Sequence, residues 1–377
     1  MRIVDVRERT VPISRYIDPA LPSGGLTTSI VAVTTDQIRD GVPVVGYGFS
    51  SIGRFAQGGL IRERFIPRLL NAGSDLDPFR AWNAMMAGEK PGGHGERCVA
   101  VGTLDMAIWD AAAKIEDVPL NRLLAHRLGR VPEPRVRAYA GGGYYYPQND
   151  ASRLAQEIRV LLQLGFTHVK IKIGGVPLAE DLARIETVLA LLPADRLAVD
   201  AMNAYDADAS LKAAQALKPF GLWWFEDVCD PLDFLTQAAL AQVYPHPIAA
   251  GEALFSLAEA KLMHLYGGLR PMQDILLFDP VHCYGLTGYL RIVDYLTHQG
   301  WPRSAFWPHG GHIFSQHVVS ALGLGGVEVN PLSFAPFGGL ADGAAIVDGC
   351  IEVPDAPGAG FESKLDLREL FERTFRN

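Results

Sequence analysis

From about residue 135 onward the sequence repeats one pattern eight times: a short apolar run, then a longer stretch with helical spacing. The runs fall at 135–140, 168–173, 196–201, 223–228, 247–252, 274–279, 303–308 and 326–331. Apolar runs that alternate with helices describe parallel strands covered by helices. Eight such units in about 200 residues suit a closed β/α barrel better than an open doubly wound sheet. No Gly-x-Gly-x-x-Gly turn follows any run, which sets a dinucleotide-binding fold aside. The first part of the chain has another texture. Strand-like segments at 2–12, 28–35 and 42–49 precede helical patterns, clearest at 101–115, and strands followed by helices signal an α+β unit. The Gly-, Ser- and Pro-rich stretches 13–25 and 50–59 read as lid loops. The loop-rich tail, 333–377, is expected to pack back on the first domain.

The charges sit at the ends of these runs. The second run carries Lys170 and Lys172, the third Asp200, the fourth Glu226, the fifth Glu252, the sixth Asp279, and His309 follows the seventh. Barrel active sites are assembled from the C-terminal ends of several strands, so these groups are expected to share one cavity. Asp200, Glu226 and Glu252 are spaced 26 residues apart, one strand–helix unit each. One such acid alone would serve equally well as a helix cap. Three in register form an all-oxygen set that suits Mg²⁺. Lys170 and Lys172 lie two apart on a strand and share a face. Adjacent ammonium groups depress each other's pKa, and burial adds to this, so one becomes a base near neutral pH. Asp279 is positioned to accept a hydrogen bond from the ring of His309 and raise its pKa, holding a proton for delivery. His312 and His317, close by in sequence, compete for that role. A divalent cation, a base and an acid together suit proton abstraction next to a carboxylate, followed by expulsion of a β-hydroxyl.

Composition narrows the partners. With 34 Lys and Arg against 42 Asp and Glu, the net charge is −8 and no basic run exists, which argues against nucleic acid. No run of 18 apolar residues is present, and residues 1–14 mix charged with β-branched residues unlike a signal peptide. The four cysteines lie far apart and read as reduced core thiols. The expectation is a cytoplasmic protein acting on a small molecule, with no membrane partner.

Longer blocks carry a family likeness: Gly-Tyr-Gly-Phe at 46–49, Gln-Gly-Gly-Leu-Ile-Arg-Glu-Arg-Phe at 57–65, and Glu-Lys-Pro-Gly-Gly-His-Gly-Glu-Arg at 89–97. Gly-Gly-Gly-Tyr-Tyr-Tyr-Pro at 141–147 and Pro-His-Gly-Gly-His at 308–312 continue it. With Lys170-Ile-Lys172, the acidic triad and the Asp279/His309 pair, the chain resembles the enolase superfamily in its mandelate racemase-like branch, and within that branch the D-tartrate dehydratases. The resemblance implies a modified (β/α)7β TIM-like barrel at 126–332 behind an N-terminal α+β capping domain at 1–125, with Mg²⁺ and homo-oligomeric assembly. It implies that Lys172 abstracts the α-proton, Lys170 assists at the carboxylate and His309 protonates the departing hydroxyl. The enol product of a hydroxy-acid such as tartrate then becomes a 2-oxo acid.

The sequence also departs from the family pattern. Met202 stands where Asn is common after the third strand, with Asn203 following, and Ala253 replaces the usual Asn after Glu252. Ile52 occupies a lid position where tartrate dehydratase-like chains carry amides, and the lid at 19–27 holds no Lys or Arg to pair with a distal carboxylate. Such changes alter which substrate is accepted rather than whether the metal is held. Candidate substrate contacts are Ser50, Lys90, Tyr146, Asn203 and His312, with Tyr144 beside them. Racemisation or epimerisation by Lys172 and His309 is the alternative enzymatic reading. A non-catalytic barrel is the third. A zinc hydrolase built on His309, His312 and His317 is disfavoured by the carboxylates at the strand ends.

Overall fold

The computed structural model describes residues 1–14 and 25–376. The lid expectation at 19–27 therefore lies largely outside the described residues. The chain opens with three antiparallel strands, β1 (Ile3–Pro12), β2 (Thr27–Arg39) and β3 (Val42–Phe49). Side chains alternate across a strand, so Ile30 of β2 joins one apolar cluster while Val31 and Val33 join another. The helix Glu96–Ile115 crosses this sheet and is buried on every side from Cys98 to Ala113. A helix apolar all round must be enclosed, and this one lies between the cap sheet and the barrel. Glycines permit the close approach: a Cβ on Gly46 would lie 2.0 Å from the carbonyl of Ala107. On the opposite side, a Cβ on Gly102 would lie 1.8 Å from the carbonyl of Val281 in the barrel.

The barrel strands run parallel and in sequence order: β4 (Arg135–Gly141), β5 (Val169–Lys172), β6 (Leu197–Asp200), β7 (Trp224–Glu226), β8 (Ile248–Ala250) and β9 (Ile275–Leu276). β10 (Val327–Val329) returns to β4, with Val327 opposite Ala138. The seventh apolar run differs from expectation. Residues Arg303–Ala305 form a 3-10 turn, and only a single parallel bridge joins Phe306 to Leu276. Prolines at 302 and 308 bracket the run and lack the N–H a ladder needs. The register survives through Trp307 N to Leu276 O at 2.8 Å and His309 N to Leu277 O at 3.2 Å. The barrel interior is plugged by Tyr139, Trp224 and Trp307, with Ala198 and Ala249 making room.

The tail reaches both parts. β11 (Ile346–Val347) and β12 (Cys350–Glu352) form a hairpin, and β12 pairs antiparallel with Arg135–Arg137 of β4, a barrel strand rather than the cap. The last helix, Leu365–Phe375, returns to the cap, where Phe371 stacks on Tyr47 with ring centroids 4.5 Å apart. Among the described residues no helix is long and apolar enough to cross a membrane.

Candidate active site

Alternation along β5 sends Val169 and Ile171 outward into the apolar core and Lys170 and Lys172 inward. Both lysines are buried and both are paired. Lys170 Nζ binds Glu226, stands 3.2 Å from Glu328 and 3.7 Å from Asp200. Lys172 Nζ pairs with Asp200. Asp200 ends β6, and its Oδ1 accepts the amide of Met202 at 2.7 Å. That turn places Met202 and Asn203, at φ 49° and 60°, in the left-handed region, a conformation met more often at functional sites than elsewhere. Glu226 ends β7 and accepts the indole N–H of Trp224 at 2.7 Å. Glu252 stands two residues past β8. Asp200, Glu226 and Glu252 each offer an oxygen, and these lie within 4.8 Å of one another. Three convergent carboxylates of this kind fit a hard divalent cation.

The electrostatics correct one expectation. Burial, the largest effect, and Lys170 act to lower the pKa of Lys172, but Asp200, Tyr144 and Glu252 together outweigh them and hold the ammonium above its ordinary value. Lys170 is likewise raised, because Glu226 and Glu328 overcome its burial. Mutual repulsion between the lysines is the smaller effect because acids outnumber them here. In return, the two lysines hold Asp200 at about 2 despite its burial. Burial pushes Glu226 up to about 8, against the pull of Lys170.

The other side of the site is a hydrogen-bonded chain. Asp279, three residues past β9, accepts the Val281 amide at 2.6 Å through Oδ1. Its Oδ2 accepts Ser51 Oγ at 2.5 Å and the His309 Nδ1–H at 2.9 Å. His309 Nε2 lies 3.7 Å from Glu252. Burial alone would lower the His309 pKa, but Glu252, the Asp279 hydrogen bond and Glu328 push it up to about 9. Asp279 is held well below the usual carboxylate range, its burial outweighed by His282 and His309.

Lys172, Glu252 and His309 line one cavity of about 110 Å³, together with Ile52, Tyr144, Met202, Glu328, Asn330 and Phe334. Of the expected substrate contacts, Tyr144 lines this cavity, and the others lie elsewhere. Lys90 borders a separate cavity of about 310 Å³ beside Trp82, Arg97 and Tyr284. Ser50 is buried with its hydroxyl 2.9 Å from Thr103 Oγ1 beneath the cap. Tyr146 donates to Glu157 at 2.7 Å, and Asn203 donates to the Cys229 carbonyl at 2.8 Å. His312 is wholly buried at the start of the helix Ile313–Leu322, 3.1 Å from Ser51 Oγ, and burial pushes its pKa down to about 4. His317 is held between the Asn121 amide and the Ala359 carbonyl, so the three histidines do not converge. Glu328 and Asn330 went unnamed in the sequence reading. They lie two apart in the eighth run, the same inward alternation that singles out Lys170 and Lys172.

Residues 153–367 match the family of enolase C-terminal domain-like proteins. This chain belongs to the enolase superfamily. Among superfamily relatives, it is 28% identical to the arabinonate dehydratase of Saccharolobus solfataricus over 91% of each chain. It is 28% identical to a 3,6-anhydro-alpha-L-galactonate cycloisomerase of Streptomyces coelicolor, over 74% of this chain and 72% of the relative. The crystal structure of L-talarate dehydratase from Polaromonas sp. JS666, complexed with Mg and L-glucarate, superimposes with a TM-score of 0.73. It is 26% identical and covers 95% of this chain and 94% of its own. The superfamily fold accounts for the capping sheet and the parallel barrel described above.

Proposed function

We propose that this protein is a Mg²⁺-dependent dehydratase of hydroxy-carboxylic acids of the acid-sugar class, forming a 2-oxo acid. The observation that carries the reading is that Lys172 and His309, the latter braced by Asp279, line one small cavity with Glu252. Asp200, Glu226 and Glu252 would hold the ion. When bound, Mg²⁺ supplies positive charge that relieves the hold of Asp200 on Lys172 and offsets charge gathering on the substrate carboxylate.

The remaining steps belong to the chain. Lys172 removes the proton from the carbon next to the carboxylate, and Lys170, buried beside it, adds a fixed positive charge on that side. His309 as imidazolium keeps one N–H on Asp279 and has Nε2–H left to give. That proton goes to the departing β-hydroxyl, which leaves as water. The enol tautomerises to the 2-oxo acid. Ile52, Tyr144 and Phe334 form an apolar part of the wall. Support comes from the dehydratase relatives, whose substrates are acid sugars. D-tartrate remains the first substrate to test, with arabinonate beside it. The proposal includes a cytoplasmic homo-oligomer, which sedimentation and fractionation test.

The deciding experiment incubates the protein and Mg²⁺ with D-, L- and meso-tartrate and with four- to six-carbon aldonates and aldarates, scoring 2-oxo acids. One stereoisomer converted, and conversion stopped by chelator, is the expected result. Deuterium entering the α-position from D₂O without 2-oxo acid would replace dehydration by racemisation. Neither signal on any acid would leave a non-catalytic barrel.

A further inference from the structure

A second group of metal-capable side chains stands beside the carboxylate triad and differs from it in kind. Asp279, His282 and His309 each offer one ligand atom, and these lie within 4.8 Å of one another. His309 Nδ1 is 2.9 Å from Asp279 Oδ2, and His282 Nδ1 is 3.7 Å from the same oxygen. Four ligands at zinc-like bond lengths in a tetrahedron stand roughly 3.3 Å apart, so the two measured edges bracket that spacing. His282 adds a second, independent observation. It is 2% exposed, and among the described residues neither of its ring nitrogens has a hydrogen-bond partner. A buried polar group left unpaired is destabilising, so an imidazole with neither nitrogen paired asks for a reason. The dehydration scheme gives it none.

We propose that Asp279, His282 and His309 form a site for a borderline divalent cation, with Zn²⁺ the ion it fits best, and that filling it inhibits the enzyme. Two imidazoles and one carboxylate favour Zn²⁺, whereas the neighbouring all-oxygen triad favours Mg²⁺, so the two clusters sort the ions between them. On binding, His309 releases its Nδ1 proton to solvent and gives that lone pair to the ion. Its ring then no longer cycles between imidazolium and imidazole, and delivery of a proton to the leaving hydroxyl stops. The binding half of the inference stands on geometry alone; the inhibition half rests on the dehydratase reading.

The test titrates Co²⁺, as a spectroscopic stand-in, and Zn²⁺ into the full-length protein saturated with Mg²⁺. We expect one further ion per chain, visible absorption from histidine-ligated Co²⁺, and loss of turnover. His282→Asn should weaken that ion by at least the ~10–100-fold that even an outer-shell change costs, while keeping Mg²⁺-dependent turnover. Glu226→Gln should keep the Co²⁺ absorption, because it cripples only the triad. The inference is overturned if the wild type binds no further ion. It is overturned equally if the signal survives His282→Asn but vanishes in Glu226→Gln, since the ion then sits in the triad. Should no acid sugar be turned over, the cobalt spectrum still decides the binding site, and only the dehydratase reading fails.

Discussion

The two halves of the cavity are built from different parts of the molecule. The Lys172 half is made of barrel strands: β5, β6 and β7 supply Lys170, Lys172, Asp200 and Glu226, with Lys172 paired to Asp200 on the next strand and Lys170 to Glu226 two strands away. The His309 half is braced from the cap. Ser51, just past β3, donates to Asp279. Gly102 lets the buried cap helix press on the carbonyl of Val281, two residues after that acid. Asp105, one turn further along the helix, accepts the Thr287 amide at 3.1 Å and hydroxyl at 2.9 Å. Trp82 donates its indole N–H to the Tyr284 carbonyl at 2.7 Å. The base is thus a property of one sheet, and the acid is a property of a domain interface.

This contrast is easiest to break at its two ends. Lys172→Ala should abolish α-proton exchange, by the ~10²–10⁴-fold a general base contributes, with the circular dichroism spectrum of the folded chain retained. Appreciable exchange in that variant would remove Lys172 as the base. His309→Asn should suppress dehydration by a similar ~10²–10⁴-fold yet leave exchange on the lysine side running. If His312→Asn behaves this way instead, the acid has been assigned to the wrong histidine.

Changes in the cap should reach only one half. Gly102→Val forces overpacking against Val281, which costs about 1–3 kcal/mol. Dehydration should fall more than exchange, and equal falls would show that the cap does not brace the acid separately. Ser51→Ala removes one hydrogen bond to a charged acceptor, and dehydration should drop about tenfold. An unaltered ratio of dehydration to exchange in this variant would contradict the same claim.

A separate effect is on stability. Burial, only partly offset by the Thr287 hydrogen bonds, pushes the Asp105 carboxyl up to about 7. The folded chain therefore keeps a proton there that the unfolded chain has already lost. That contribution is complete below the unfolded carboxyl value near ~3.9 and fades as pH rises through about 7. The melting temperature of the wild type should fall relative to Asp105→Asn between pH 5 and pH 8. Parallel curves for the two proteins would show that Asp105 does not titrate in that window.

Much of this was legible in the sequence where a strand alone decides position. Alternation and the 26-residue spacing suffice to bring Lys170, Lys172, Asp200, Glu226 and Glu252 together, because each is fixed by its own strand. Asp279 and His309 were readable from the ends of their apolar runs, although both stand beyond the paired residues. Charge states were not readable: the pKa of Lys172 depends on how closely Asp200 approaches it, which no spacing reveals. Nor were the contacts made from loops. Ser50 and Ser51 are neighbours, yet one faces Thr103 and the other Asp279, a difference set by how the cap docks. Lys90 sits in a conspicuous block but borders another cavity, for the same reason.

The pairing of β4 has a consequence for how the chain is made. One edge of β4 is shared by β5, about thirty residues on, and by β12 of the tail, while its other edge waits for β10. During synthesis from the N-terminus, one side of the first barrel strand is therefore exposed until residues 327–329 have emerged, and part of the other until 350–352 have. An unpaired strand edge is a template for wrong partners. A nascent chain of this protein is most prone to aggregate late, and shortening the tail should lower soluble yield before it touches the chemistry.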